Sequence, residues 1–253
     1  MSIHAPTIAA DRFQTHSLAQ TWTSSGSGLN ICDETCAPDD CVQTVEAGWT
    51  VDPLLFVGSN PTSPHLFTYA TTDGYATGCC NQDPSRGSDC APFNPDPQGF
   101  MTVGQMLPAS TLGAIPTELQ ISVTHSASGW CLRAGIQPNV VAIGCWPNST
   151  FHGSMTTSAS RFQVGGEIVA TPLDWNLPMG SGKPPAAGFR QAAYHRNYSA
   201  NGSTSFSNTR YMDRLSYAMS DSEPAGAAWT SWFYYGNEPI IGWVTNSVAT
   251  AIR

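Results

Sequence analysis

Val45-Glu46-Ala47-Gly48-Trp49 sets a glutamate and a glycine among apolar residues at a spacing of two, and that alternation decides the fold. In an extended strand, successive side chains point to opposite faces. Thr44, Glu46 and Gly48 therefore share one side, while Val45, Ala47 and Trp49 share the other. A second stretch, Gln163-Val164-Gly165-Gly166-Glu167-Ile168-Val169, repeats the arrangement, with Gln163, Gly165, Glu167 and Val169 on one face. An ionised carboxylate taken out of water is costly, so each glutamate must be hydrogen-bonded, held neutral or set in a wet cleft. Each also has a glycine two residues away on its own face. Such a glycine marks a bulge or the close approach of another backbone, and a bound peptide would be such a backbone. Ordinary glutamates on a solvated sheet face beside bulge glycines would show the same pattern.

Composition points the same way. Charged residues are 11% of the 253, glycine and proline number 23 and 19, and no long amphipathic helical pattern occurs, which predicts an all-β chain rich in turns. A chain of this length can bury the core of one β-sandwich domain. The net charge of -8, the pI near 5.0 and a single lysine, Lys183, argue against a nucleic-acid or anionic-membrane partner, which would need a basic patch. No segment is apolar enough to span a bilayer as a helix. Few cations remain when carboxylates neutralise, so self-repulsion stays small in acid, which suits an acidic medium. The eight cysteines fit a disulfide framework in an oxidising compartment better than zinc, because Cys32, Cys36 and Cys41 lack paired Cys-x-x-Cys spacing. Four bridges are expected, with about 105 possible pairings. Met1 to Ala10 carries no secretory signal pattern, so a secreted protein would here be a processed form. Three glycosylation sequons, at Asn148, Asn197 and Asn201, are within chance expectation.

Residues 1–40 read as an extended arm of the same domain, with one strand near Gln14 to Trp22 and no chemistry. Residues 41–253 read as a single domain. Strands are expected at Cys41 to Val51, Leu66 to Thr72, Leu119 to His125, Gly129 to Ala134, Val140 to Cys145, Arg161 to Ala170 and Trp229 to Tyr235, spaced as in an antiparallel sandwich of two packed, curved sheets. Irregular loops, Cys79 to Gln98 (clipped by Cys90) and Pro178 to Gly188, are placed to rim a cleft.

Several ordered blocks resemble the neprosin family of glutamic peptidases. They are Val45-Glu46-Ala47-Gly48-Trp49; Leu66-Phe67-Thr68-Tyr69 with Thr72-Asp73-Gly74-Tyr75 and Thr77-Gly78-Cys79; Gly129-Trp130 with Gly144-Cys145-Trp146-Pro147; Val164-Gly165-Gly166-Glu167; Met179-Gly180-Ser181-Gly182; and Phe233-Tyr234-Tyr235-Gly236. The resemblance runs from about Cys41 to Gly236. It implies an antiparallel β-sandwich, a secreted zymogen whose precursor carries a propeptide, acid-active hydrolysis of peptide bonds, often after proline, and Glu46 and Glu167 as the catalytic pair. Cys131 and Cys145 stand where the family often has aromatics, which suggests an added cross-strand disulfide. Lys183-Pro184 replaces a common His-Phe pair, which bears on proline preference.

On this reading one glutamate is ionised and activates water while the other donates a proton, as in coupled carboxylate dyads. No metal or other cofactor is expected, the partner is a polypeptide substrate, and the chain is expected to be monomeric. Trp49, Tyr69 and Tyr75 are candidate apolar subsites, and Gln163 and Gly165 share the face of Glu167. Gln43 is a further amide donor if a bulge turns it towards Glu46. Core packing is the alternative for Trp49, and ordinary strand glutamine for Gln43 and Gln163. Rival functions are a two-carboxylate glycoside hydrolase, with aromatics stacking on sugars, and a secreted carbohydrate-binding module. A Gly-x-Ser-x-Gly elbow, His-Glu-x-x-His and a phosphate loop are all missing from the sequence.

Overall fold

A computed structural model describes residues 1–8, 16–27, 36–37, 40–58, 60–81, 92–169, 177–203, 210–211, 217–220, 229–237 and 249–252. The strands, in chain order, are β1 (His16–Ser25), β2 (Gln43–Val51), β3 (His65–Thr71), β4 (Cys79–Cys80), β5 (Asn94–Pro95), β6 (Leu119–Ser126), β7 (Gly129–Ile136), β8 (Asn139–Trp146), β9 (Arg161–Val169), β10 (Ala193–Arg196), β11 (Arg210–Tyr211), β12 (Tyr217–Ser220), β13 (Trp232–Asn237) and β14 (Ala249–Ile252). Helical structure among the described residues is confined to short 3-10 turns, such as Asn148–Thr150 and Gly153–Thr156.

All strand pairs are antiparallel. The main sheet has the order β11-β14-β9-β1-β2-β3-β4, a second runs β5-β8-β7-β6, and a third runs β10-β13-β12. Alternation along β2 sends Val45, Ala47, Trp49 and Val51 into the core, where they meet Leu119, Trp130, Leu132, Ile143 and Trp146 of the second sheet and Phe233 and Tyr235 of the third. The architecture is the expected antiparallel β-sandwich, and the opposite face of the main sheet carries Glu46.

The strand near Gln14 to Trp22 is β1, and it is not peripheral. It lies in the middle of the main sheet, paired along nine residues with β2 and along nine with β9. The amino-terminal segment is tied in as firmly. The Ser2 amide donates to the Tyr194 carbonyl at 3.0 Å, and the Ser2 carbonyl accepts the Trp49 indole N–H at 2.8 Å. Short strands without alternation, such as β10 and β5, were not expected from the sequence.

Cys131 and Cys145 face each other across β7 and β8 and form the cross-strand disulfide, with Cα atoms 4.0 Å apart. Cys36–Cys41 forms a second bridge. Cys32 and Cys90, with the clip expected of Cys90, lie outside the described residues, as do the side chains of Cys79 and Cys80.

Gly48 sits opposite Gln20, and here the close backbone is β1 itself. A methyl group at Gly48 would fall on the Ala19 carbonyl oxygen and lie 2.6 Å from Gln20 Cα. The expected approach of a peptide is thus corrected to the approach of a neighbouring strand. A Gly48→Ala substitution should force β1 and β2 apart and cost about 2–3 kcal/mol in chemical denaturation; an unchanged midpoint would show that the two strands have room.

Candidate active site

Register brings the two glutamates onto one face without pairing their strands. On β1, Trp22 is opposite Glu46 on β2, and Leu18 is opposite Glu167 on β9; directly opposed residues share a face. Gln20 lies between them on the same face, opposed by Gly48 on one side and Gly165 on the other. The site is therefore a strip across three strands. Glu46, 4% exposed, is buried, while Glu167 is partly exposed.

Polar partners converge on the pair. The Gln20 amide nitrogen donates to Glu167 Oε2 at 3.3 Å, and the Tyr75 hydroxyl donates to Glu46 Oε1 at 2.8 Å. Tyr75 is delivered by a tight turn. Asp73 accepts from the Thr71 hydroxyl at 2.9 Å and from the Thr77 amide at 2.9 Å, and Tyr75 takes a φ of 71°, a left-handed conformation that bulky residues adopt only when the surroundings impose it. Behind the turn, the His152 ring nitrogen Nε2 donates to the Thr72 carbonyl at 3.1 Å.

Both carboxyl groups are pushed above the ordinary range. Burial is the main cause for each, and the charge of Glu167 raises Glu46 further; Tyr75, Gln20 and Thr44 oppose the rise at Glu46, and Gln20 opposes it at Glu167. Tyr75 is itself held protonated by burial and by the neighbouring Glu46. Such a pair keeps a proton where free glutamates would have lost it. One member can then act as acid while the other acts as base.

Of the expected subsite residues, Tyr69 is opposite Glu46 on β3, partly buried, and stacked on Tyr75 with centroids 6.0 Å apart. Tyr75 is at the site too, as a hydrogen-bond partner of Glu46. Gly165 lies opposite Gln20, and its carbonyl accepts from His195 Nε2 at 3.1 Å. Gln163 is opposite Trp22, in the row of Glu46 but two strands from it, so about 10 Å away. Trp49 is not at the site: it is 0% exposed, on the core face, with its indole N–H committed to Ser2. Gln43 also stays on the core side. Its amide group holds His152, donating to the His152 carbonyl at 2.9 Å and accepting from the His152 amide at 2.9 Å.

Gln20 was missed. The arm was read as carrying no chemistry, yet the stretch Leu18-Ala19-Gln20-Thr21-Trp22 holds one long polar side chain between two large apolar ones of the same face. Among the described residues no group of three or more histidine, cysteine, aspartate and glutamate residues could hold a metal ion.

In comparisons with known proteins, the family model described as Neprosin matches residues 13–237. No curated protein matches the chain.

The raised carboxyl at Glu46 makes folding pH-dependent. The folded state keeps a proton that the unfolded state releases, so stability is greatest below the unfolded value and falls as pH rises through the folded one. Glu46→Gln should therefore stabilise the protein by roughly 1–3 kcal/mol at about pH 8 and change little in acid. Thermal midpoints measured across pH test this, and parallel curves for parent and variant would show that Glu46 is not held neutral by the fold.

Proposed function

The chain belongs to the neprosin family, and from that premise we propose that it is a glutamic endopeptidase in which Glu46 and Glu167 activate water against a peptide bond. The observation that carries the reading is the placing of a buried and a partly exposed carboxyl group on one sheet face, with a tyrosine and a glutamine as their polar partners. Glu46 is the more buried and has its proton reinforced by the charge of Glu167, so it is the acid. Glu167 is the more accessible and is the base. Its carboxylate takes a proton from water as the oxygen attacks the scissile carbonyl carbon, while the Glu46 hydroxyl hydrogen-bonds the carbonyl oxygen; Glu46 then transfers its one proton to the departing nitrogen, and the proton taken up by Glu167 passes back to Glu46 before the next turnover. The bond broken is C–N, and the products are a carboxylic acid and an amine.

The family resemblance supports acid activity and a preference for cleavage after proline. Burial raises both carboxyl groups, which carries the singly protonated pair up from the acid range to near neutrality. Tyr69 and Tyr75 supply the aromatic surface beside Glu46 on which a proline ring could pack. Disulfides support an extracellular, oxidising location. A processed precursor and a monomeric enzyme belong to the same proposal.

Hydrolysis of an unfolded protein, followed across pH with products mapped by mass spectrometry, tests the reading. The parent should show a bell-shaped profile with both limbs above the ordinary carboxylate range. Glu46→Gln and Glu167→Gln should each lower kcat by roughly 100-fold or more. A folded parent that leaves peptides intact, or a variant that keeps full activity, would remove the pair from peptidase chemistry.

A further inference from the structure

Gln20 occupies the one position on β1 that stands between both glutamates. Glycine opposes it on each side, at Gly48 and Gly165, so no cross-strand side chain competes for the space over the sheet. The side chain is 1% exposed. Its amide nitrogen donates to Glu167 Oε2 at 3.3 Å, and the register sets Gln20 diagonally across from Glu46 on β2, close enough to favour that carboxyl's ionised form. Its amide oxygen is buried without a hydrogen-bond partner. A buried acceptor left unmade costs free energy, so the amide is oriented by what its nitrogen gains from Glu167 and from its place beside Glu46. A primary amide nitrogen has two N–H bonds to give.

We propose that Gln20 is the positioning residue of this site, a clamp whose amide nitrogen is shared between Glu46 and Glu167 and holds the two carboxyl groups at a working separation. The proposal rests on the peptidase reading of the same pair. A glutamate side chain has three rotatable bonds, and fixing both against one rigid amide removes freedom that would otherwise be lost at each turnover. Donation from a neutral amide also favours the ionised form of either glutamate without adding a charge. A lysine or arginine in the same place would hold both ionised and leave no acid. The planar, uncharged amide is the group that steadies the pair while letting one proton remain on it.

The test is Gln20→Met, which keeps chain length and apolar bulk but removes the donor, with Gln20→Leu as a second variant. On a peptide substrate, kcat should fall roughly tenfold to hundredfold with KM nearly unchanged. Both limbs of the pH profile should move to higher pH, because each carboxyl loses a donor to its charged form. A purely structural role would scale the profile without moving its limbs, and that result would overturn the clamp.

An activity-independent readout separates this from the peptidase reading. Infrared titration of the carboxyl groups, assigned with Glu46→Gln and Glu167→Gln, should show both groups titrating higher in Gln20→Met. A shift at one group alone, or at neither, overturns the proposal. In the parent, the NMR signals of the Gln20 side-chain amide should follow both titrations, and a single inflection or none would also overturn it, even if the variants fail to fold. If these titrations behave as expected but no peptide is cleaved, the clamp stands and the peptidase reading falls.

Discussion

The ladder of hydrogen bonds that seats β1 between β2 and β9 is the constraint on which the site depends. Glu46 and Glu167 lie on strands that do not pair with one another, and each is registered against β1 instead. A one-residue slip on either side of β1 would turn that strand's glutamate into the core and expose its apolar residues. The register is therefore protected by the burial of Val45, Ala47 and Trp49 on one side and Val164 and Ile168 on the other. Core packing and site geometry are two faces of one pairing.

That coupling explains how much was legible in advance. Alternation around Glu46 and Glu167 was strong, because each glutamate interrupts a run whose other residues are bound for the core. The same alternation assigned Gln43 to the core side, where it holds His152. The cross-strand disulfide was legible because Cys131 and Cys145 fall on neighbouring expected strands. β1 was readable as a strand but not as the central one, since nothing local in a strand names its neighbours when those are about 25 and 145 residues away. Gln20 was lost with it. Trp49 shows the opposite limit: a tryptophan three residues from Glu46 in sequence is on the far side of the sheet, and period two settles the matter against proximity.

Glycine carried two meanings that the sequence could not separate. Gly48 is demanded by the backbone of β1, whereas Gly166, on the core face, makes way for the ring of Tyr235. Gly78 similarly admits the Tyr69 ring, and a side chain there would meet the Tyr69 hydroxyl. These glycines are places where a strand or an aromatic ring of the protein itself comes close. They shape the site from behind, while Tyr75 and Gln20 shape it from the side of the carboxyls.

The central place of β1 also sets when the pair comes into being during synthesis. β1 and β2 are made early and can pair as soon as they emerge, but β9 follows more than a hundred residues later, and its pairing with β1 is a long-range contact of the kind that forms slowly. Until then Glu46 has no companion carboxyl to share a proton with. A chain still being made thus carries Glu46 without the strand that brings Glu167 onto the same face.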